Sequence, residues 1–131
     1  MKPGKSFSTI KEVIPFGEYD YTRSGNPTRA ALEKLIAELE GGDRGFAFST
    51  GMAAISASLM LLKSGDHIVI SEDVYGGTYR FITKILPKLG ITHTFVDFTD
   101  VSKIEVAIQS NTVLIYMETP SNPTLKITDI R

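Results

Sequence analysis

From Arg44 onward, short apolar runs alternate with stretches whose apolar residues recur at helical spacing, and this alternation restricts the fold more than any other feature of the chain. The strand-like runs are residues 45–48, 67–70, 92–96 and 112–117, each too short for an ordinary helix and together rich in β-branched and aromatic side chains. Between them, residues 51–62, 77–86 and 101–108 read as helices. Strands separated by helices cannot close as hairpins and must be joined by crossovers. The expected class is therefore α/β, a mostly parallel sheet with flanking helices. In such a sheet ligands sit beyond the carboxyl ends of the strands, which directs the search for chemistry to the loops beginning at Ser49, Ser71, Asp97 and Glu118.

The region ahead of this pattern is different. Pro3, Gly4, Pro15, Gly17 and Gly25 interrupt every short apolar run, so residues 1–25 read as an arm and residues 26–131 as the domain. After Asn26-Pro27-Thr28, the residues Leu32, Leu35, Ile36 and Leu39 repeat at helical spacing, with Thr28 as the expected cap and Gly41-Gly42 as the stop. At the far end, Thr128 or Asp129 reads as the cap of a further helix. Four strands alone would keep an open sheet edge and an uncovered face. The sequence is therefore expected to be the amino-terminal portion of something longer, its domain incomplete.

Composition narrows the chemistry. With 131 residues, 42% of them apolar, there is material for one domain. Fourteen Lys and Arg balance fifteen Asp and Glu, giving a net charge of -1, so no field of one sign draws nucleic acid or an acidic membrane surface. The lack of cysteine excludes disulfides, thiolate metal sites and cysteine nucleophiles, and fits a reducing cytoplasm. No segment approaches the ~20 consecutive apolar residues of a membrane span. His67 and His93 fall inside strands without metal-like partner spacing, so they are expected to pack, and no metal site is expected.

Four strings invite a functional reading, each beside a plain one. Ser49-Thr50-Gly51-Met52-Ala53-Ala54 sits where a strand passes into a helix. The free backbone N–H groups of a helix start can seat a phosphate, or the small residues can simply pack a turn. Tyr21-Thr22-Arg23 lies in the arm, where an Arg fork and a phenol can grip a phosphate together or stand solvated. In Asp73-Val74-Tyr75-Gly76-Gly77-Thr78 the tyrosine can offer its ring to a planar ligand and its hydroxyl to a proton, or pack locally. In Glu118-Thr119-Pro120-Ser121-Asn122-Pro123 two prolines stiffen a loop that can aim Asn122 into the crevice, or merely turn the chain. A dinucleotide fingerprint is missing here, and Gly4-Lys5-Ser6 lacks the preceding glycine of a P-loop.

These four strings, in this order, resemble one family: the pyridoxal-phosphate (PLP) enzymes of cysteine and methionine metabolism. It includes cystathionine synthases and lyases, methionine gamma-lyase and homoserine sulfhydrylases. The resemblance runs from about Phe16 to the end. It implies the amino-terminal part of an aspartate-aminotransferase-like, fold type I large domain, and a carbon-sulfur lyase or related transferase acting on sulfur amino acids. It further implies that the Gly51 and Met52 amides hold the cofactor phosphate, that Tyr75 stacks on the pyridine ring and shuttles a proton, and that Asn122 binds near the ring hydroxyl and the substrate carboxylate. Tyr21 and Arg23 would reach the phosphate of a neighbouring subunit, with Tyr21 near its substrate, in a homodimer or homotetramer. The family's Schiff-base lysine lies in a Ser-x-Thr-Lys type string, and no lysine of this chain occupies one. Its pyridinium-pairing aspartate and its substrate-gripping arginine are likewise expected elsewhere. A non-catalytic cofactor- or phosphate-binding module is the alternative reading.

Overall fold

Residues 67–71 form the centre of the sheet because nearly every side chain there can be buried on one face or the other. The structure is a computed structural model that describes Tyr19 and residues 21–130; the other residues of the expected arm, the Gly4-Lys5-Ser6 string and Arg131 lie outside the described residues. The chain divides into two units, Met1–Ser49 and Thr50–Arg131.

In the first unit, helix α1 (Pro27–Glu40) is capped by Asn26, two residues earlier than the expected Thr28. Asn26 Oδ1 accepts from the N–H groups of Thr28 (3.0 Å) and Arg29 (3.2 Å), while Pro27 takes the first helical position, where a missing N–H is harmless. Gly41, at φ 65°, ends the helix in the left-handed conformation that glycine adopts without strain. The expected strand at 45–48 does not form. A strand needs a ladder, and the N–H of Ala47 donates instead to Glu33 Oε1 at 2.9 Å, while Gly45 lies directly against the Glu33 carbonyl.

The second unit holds the sheet. Strands β1 (His67–Ser71), β2 (Thr92–Val96) and β3 (Thr112–Tyr116) are all parallel in the order β2-β1-β3, so among the described residues the sheet has three strands and not the expected four. Helix α2 (Gly51–Leu59) precedes β1; α3 (Gly76–Lys84) and a 3-10 turn (Leu86–Leu89) link β1 to β2; α4 (Val101–Ala107) links β2 to β3. Helix α3 gives way to the 3-10 turn around Pro87, which cannot donate to a continuing helix. One core cluster gathers Leu59, Ile68, Ile70, Ile82, Leu86 and Ile91, and a second gathers Val69, Val96 and Phe98 with Ile104 beside them. Alternation along β1 thus feeds two apolar layers. The expected helix entry at 128–129 is irregular backbone, in which the Thr128 N–H donates to Thr119 Oγ1 at 3.1 Å.

His67, the first residue of β1, ties the three strands together. Its Nδ1 lies 2.7 Å from Thr112 Oγ1 and its Nε2 2.9 Å from Thr94 Oγ1, so it packs as expected, with hydroxyl partners. Burial holds the pKa of His67 below its usual 6.5, and burial together with the nearby His67 lowers that of His93. The native state then binds fewer protons than the unfolded chain as pH falls below about 6.5, so this stabilisation is present at neutral pH and lost on acidification. We expect the urea midpoint to fall between about pH 7.5 and about pH 5.5, and His67→Gln to flatten the fall to the part due to His93. An equally steep fall in the variant would contradict the assignment to His67.

Candidate active site

Because β1 lies between β2 and β3, the chain winds from β1 to β2 and then crosses back over β1 to reach β3. The loops leaving β1 and β3 therefore adjoin at the carboxyl edge of the sheet, where parallel α/β layers hold ligands. These are the loops that carry Tyr75 and Asn122.

The start of α2 leaves backbone N–H groups free. Thr50 caps the helix, its Oγ1 accepting from the Ala53 N–H at 3.1 Å and its carbonyl from Ala53 and Ala54. That leaves the N–H groups of Gly51 and Met52 without a helical acceptor, at the positive end of the helix dipole. Around Gly51 there is open space where a side chain would project.

Tyr75 lies near Met52, in the first turn of that helix. It is 54% exposed and precedes α3 in a non-helical conformation. A Cβ added at Gly77 would meet the Tyr75 ring at 2.5 Å and Met52 Sδ at 2.8 Å. The opening of α2 and the aromatic ring thus converge on the one residue that has no side chain to separate them. This glycine is kept for close approach; its helical backbone does not demand it.

Glu118 fixes this arrangement from the other loop. Its Oε2 accepts the Tyr75 backbone N–H at 2.8 Å, and its Oε1 accepts the hydroxyls of Thr78 at 3.0 Å and Tyr116 at 3.1 Å. Burial, then the Glu118 charge, pushes the Tyr116 phenol up to about 12, so it keeps its proton and remains a donor. Asn122 sits exposed on the same loop, beside the buried Ser121. At the same edge Ser71 Oγ is buried with no hydrogen-bond partner among the described residues.

Of the residues singled out in the sequence, Met52 and Tyr75 are brought together over Gly77 in the second unit, Gly51 precedes Met52 at the helix start, and Asn122 rides on the loop that Glu118 anchors. Tyr21 and Arg23 stand exposed in the first unit, where the Tyr21 carbonyl accepts from Ser24 and Gly25 at 2.9 Å each. Sequence reasoning gave no role to Asp73, Thr78, Glu118, Ser121 or Thr124. Asp73 and Glu118 each open one of the quoted strings, but pairing across 40 or more residues of separation has no local signature.

A parallel α/β unit with its loops and a helix start gathered at the strand ends defines a domain of the class that binds ligands in that crevice. Residues 6–131 match the family described as Cys/Met metabolism PLP-dependent enzyme, and the chain belongs to that family. It is 64% identical over 116 residues to cystathionine beta-lyase MetC of Bacillus subtilis (strain 168), covering 88% of this chain and 30% of that protein. Against cystathionine gamma-lyase of the same organism it is 60% identical over 112 residues, covering 86% of this chain and 30% of the relative. The crystal structure of cystathionine gamma-lyase from Lactobacillus plantarum complexed with L-serine matches with a TM-score of 0.82 at 53% identity, covering 89% of this chain and 31% of that one. The chain therefore spans about 30% of the length of the curated relatives it matches. The α/β fold implied by the resemblance is borne out by that structural match.

Proposed function

We propose that the chain forms the cofactor-cradling portion of a PLP-dependent carbon-sulfur lyase acting on sulfur amino acids, of the cystathionine beta- or gamma-lyase kind. The observation that carries this reading is the convergence of Met52 and Tyr75 on Gly77, which puts a helix start with free amides beside an exposed aromatic ring. A flat, phosphorylated ligand fits such a pair of features. PLP, when bound, supplies an electron sink for charge developing at the α-carbon of an amino acid. The Gly51 and Met52 N–H groups would hold its phosphate through hydrogen bonds strengthened by the helix dipole. Tyr75 would lie against the ring face, with its hydroxyl placed to move a proton. Asn122 would orient the ring hydroxyl and the substrate carboxylate. Tyr21 and Arg23 would serve the site of a neighbouring copy in a homodimer or homotetramer, with Arg23 forking onto phosphate oxygens. A chain with no cysteine, whose described helices are none of them long and apolar enough to cross a membrane, suits a cytoplasmic enzyme.

The relatives include a cystathionine beta-lyase and a cystathionine gamma-lyase at similar identity, and the proposed class spans both. Equilibrium dialysis of the 131-residue chain with PLP tests the cradle. Saturable binding that Tyr75→Ala weakens on the order of tenfold is the expected result. Absence of binding would sink the reading. No lysine here stands in a Ser-x-Thr-Lys string, so no pyruvate or other 2-oxo acid should appear when the chain alone is mixed with PLP and an amino-acid thioether.

A further inference from the structure

Two carboxylates at the sheet edge each reach out of their own loop into the other. Glu118, from the loop after β3, accepts from the Tyr75 N–H and the Thr78 hydroxyl of the loop and helix after β1. Asp73, from the loop after β1, accepts through Oδ2 from Ser121 Oγ at 2.8 Å and from Thr124 Oγ1, both in the loop after β3. Ser121 Oγ in turn accepts the Lys126 N–H at 3.0 Å, and Lys126 Nζ pairs with Glu72 Oε1 at 3.1 Å alongside. Thr78 and Ser121, the hydroxyl donors on either side, are buried. A carboxylate suits both places because every group facing it is a donor, and hydrogen bonds to an ionised acceptor are the strong ones.

We infer that Asp73 and Glu118 form a reciprocal latch that locks the Tyr75 loop and the Asn122 loop into one rigid unit, making both acids positioning residues for the cofactor. The inference rests on the proposed function in one respect, that Tyr75 and Asn122 face PLP. The latch itself is a statement about the two loops. Loops are ordinarily the mobile part of a fold. Here each loop supplies the acceptor for the other's donors, so neither can move without breaking charge-assisted bonds in both.

Amide hydrogen exchange and PLP dialysis on the full 131-residue chain separate the latch from the cofactor reading. Glu118→Ala should speed exchange of the Tyr75 N–H on the order of tenfold, and Asp73→Ala should do the same for the Lys126 N–H, with Ile70 in β1 unchanged as the check on the fold. Glu118→Gln should recover most of the Tyr75 protection, because its amide oxygen can take the Tyr75 N–H while its NH₂ turns to the two hydroxyls, which can reverse and accept. If an alanine variant also exposes Ile70, Thr124→Val decides: it removes a single donor at an exposed position and should still speed Lys126 exchange. In step with Tyr75 exchange, the PLP dissociation constant should rise about tenfold in Glu118→Ala and recover in Glu118→Gln. Unchanged exchange at Tyr75 and Lys126 overturns the latch. Faster exchange with unchanged PLP affinity overturns the positioning role, and wild-type chain that binds no PLP overturns the cofactor reading while leaving the exchange results to judge the latch.

Discussion

Gly77→Ala is expected to weaken PLP binding by the chain on the order of tenfold or more while leaving it folded. The added methyl would stand 2.5 Å from the Tyr75 ring and 2.8 Å from Met52 Sδ, distances at which something must give. Both contacts are side-chain atoms, so the backbone is spared and the ring and thioether swing away. Gly77 lies in the first turn of α3, where alanine favours the helix by up to ~1 kcal/mol over glycine. Stability should therefore hold or rise slightly as affinity falls, a combination that a merely damaged fold cannot produce. Gly76→Ala is the control. Its added methyl meets only Arg80 Nη1, at an ordinary 3.5 Å, and affinity should stay within about twofold of wild type. Equal affinity of Gly77→Ala and wild type would remove the main support for the cradle.

Ile70→Ala should destabilise the second unit by about 3 kcal/mol, within the usual range of about 2–5 for emptying a filled core position. Ile70 is fully buried on the central strand, packed in the cluster with Leu59, Ile82 and Leu86 between the sheet and its helices. Urea unfolding followed by circular dichroism reads the loss as a lower midpoint at unchanged slope. Val113→Ala on β3, where the side chain is 56% exposed, should change stability by under about 0.5 kcal/mol. A loss at Ile70 as small as that at Val113 would mean that β1 is not the core strand the burial pattern indicates.

How much of this was legible beforehand can be judged from particular residues. The runs at 67–70, 92–96 and 112–117 became strands nearly as delimited, because a short β-branched run between helical stretches has few other ways to bury itself. The run at 45–48 looked no different in kind, yet it lies irregular against α1. Whether an apolar run becomes a strand depends on a neighbour to complete its ladder, and here the Glu33 side chain took the amide that a neighbour would have used. The cap moved from Thr28 to Asn26 for a local reason that Pro27 already carried, since proline favours the first helical position and not the one before the cap.

At the site, the identity of the strings was readable because glycine, proline and aromatic residues at fixed offsets carry a resemblance by themselves. Their mutual placement was not. Helical and strand periods, turn residues and the strand-helix alternation are set by steric and hydrogen-bonding preferences acting over a few residues, and the sequence alone determined those: an α/β chain, a helix opening at Gly51 and loops at Tyr75 and Asn122. Tertiary structure alone decided that Met52 meets Tyr75 over Gly77, that Asp73 reaches Ser121, and that Glu118 reaches Tyr75. The physical reason is that β3 pairs with β1 and not with β2, its predecessor in the chain, and strand order in a parallel sheet is chosen by packing among distant segments, on which local preferences have no purchase.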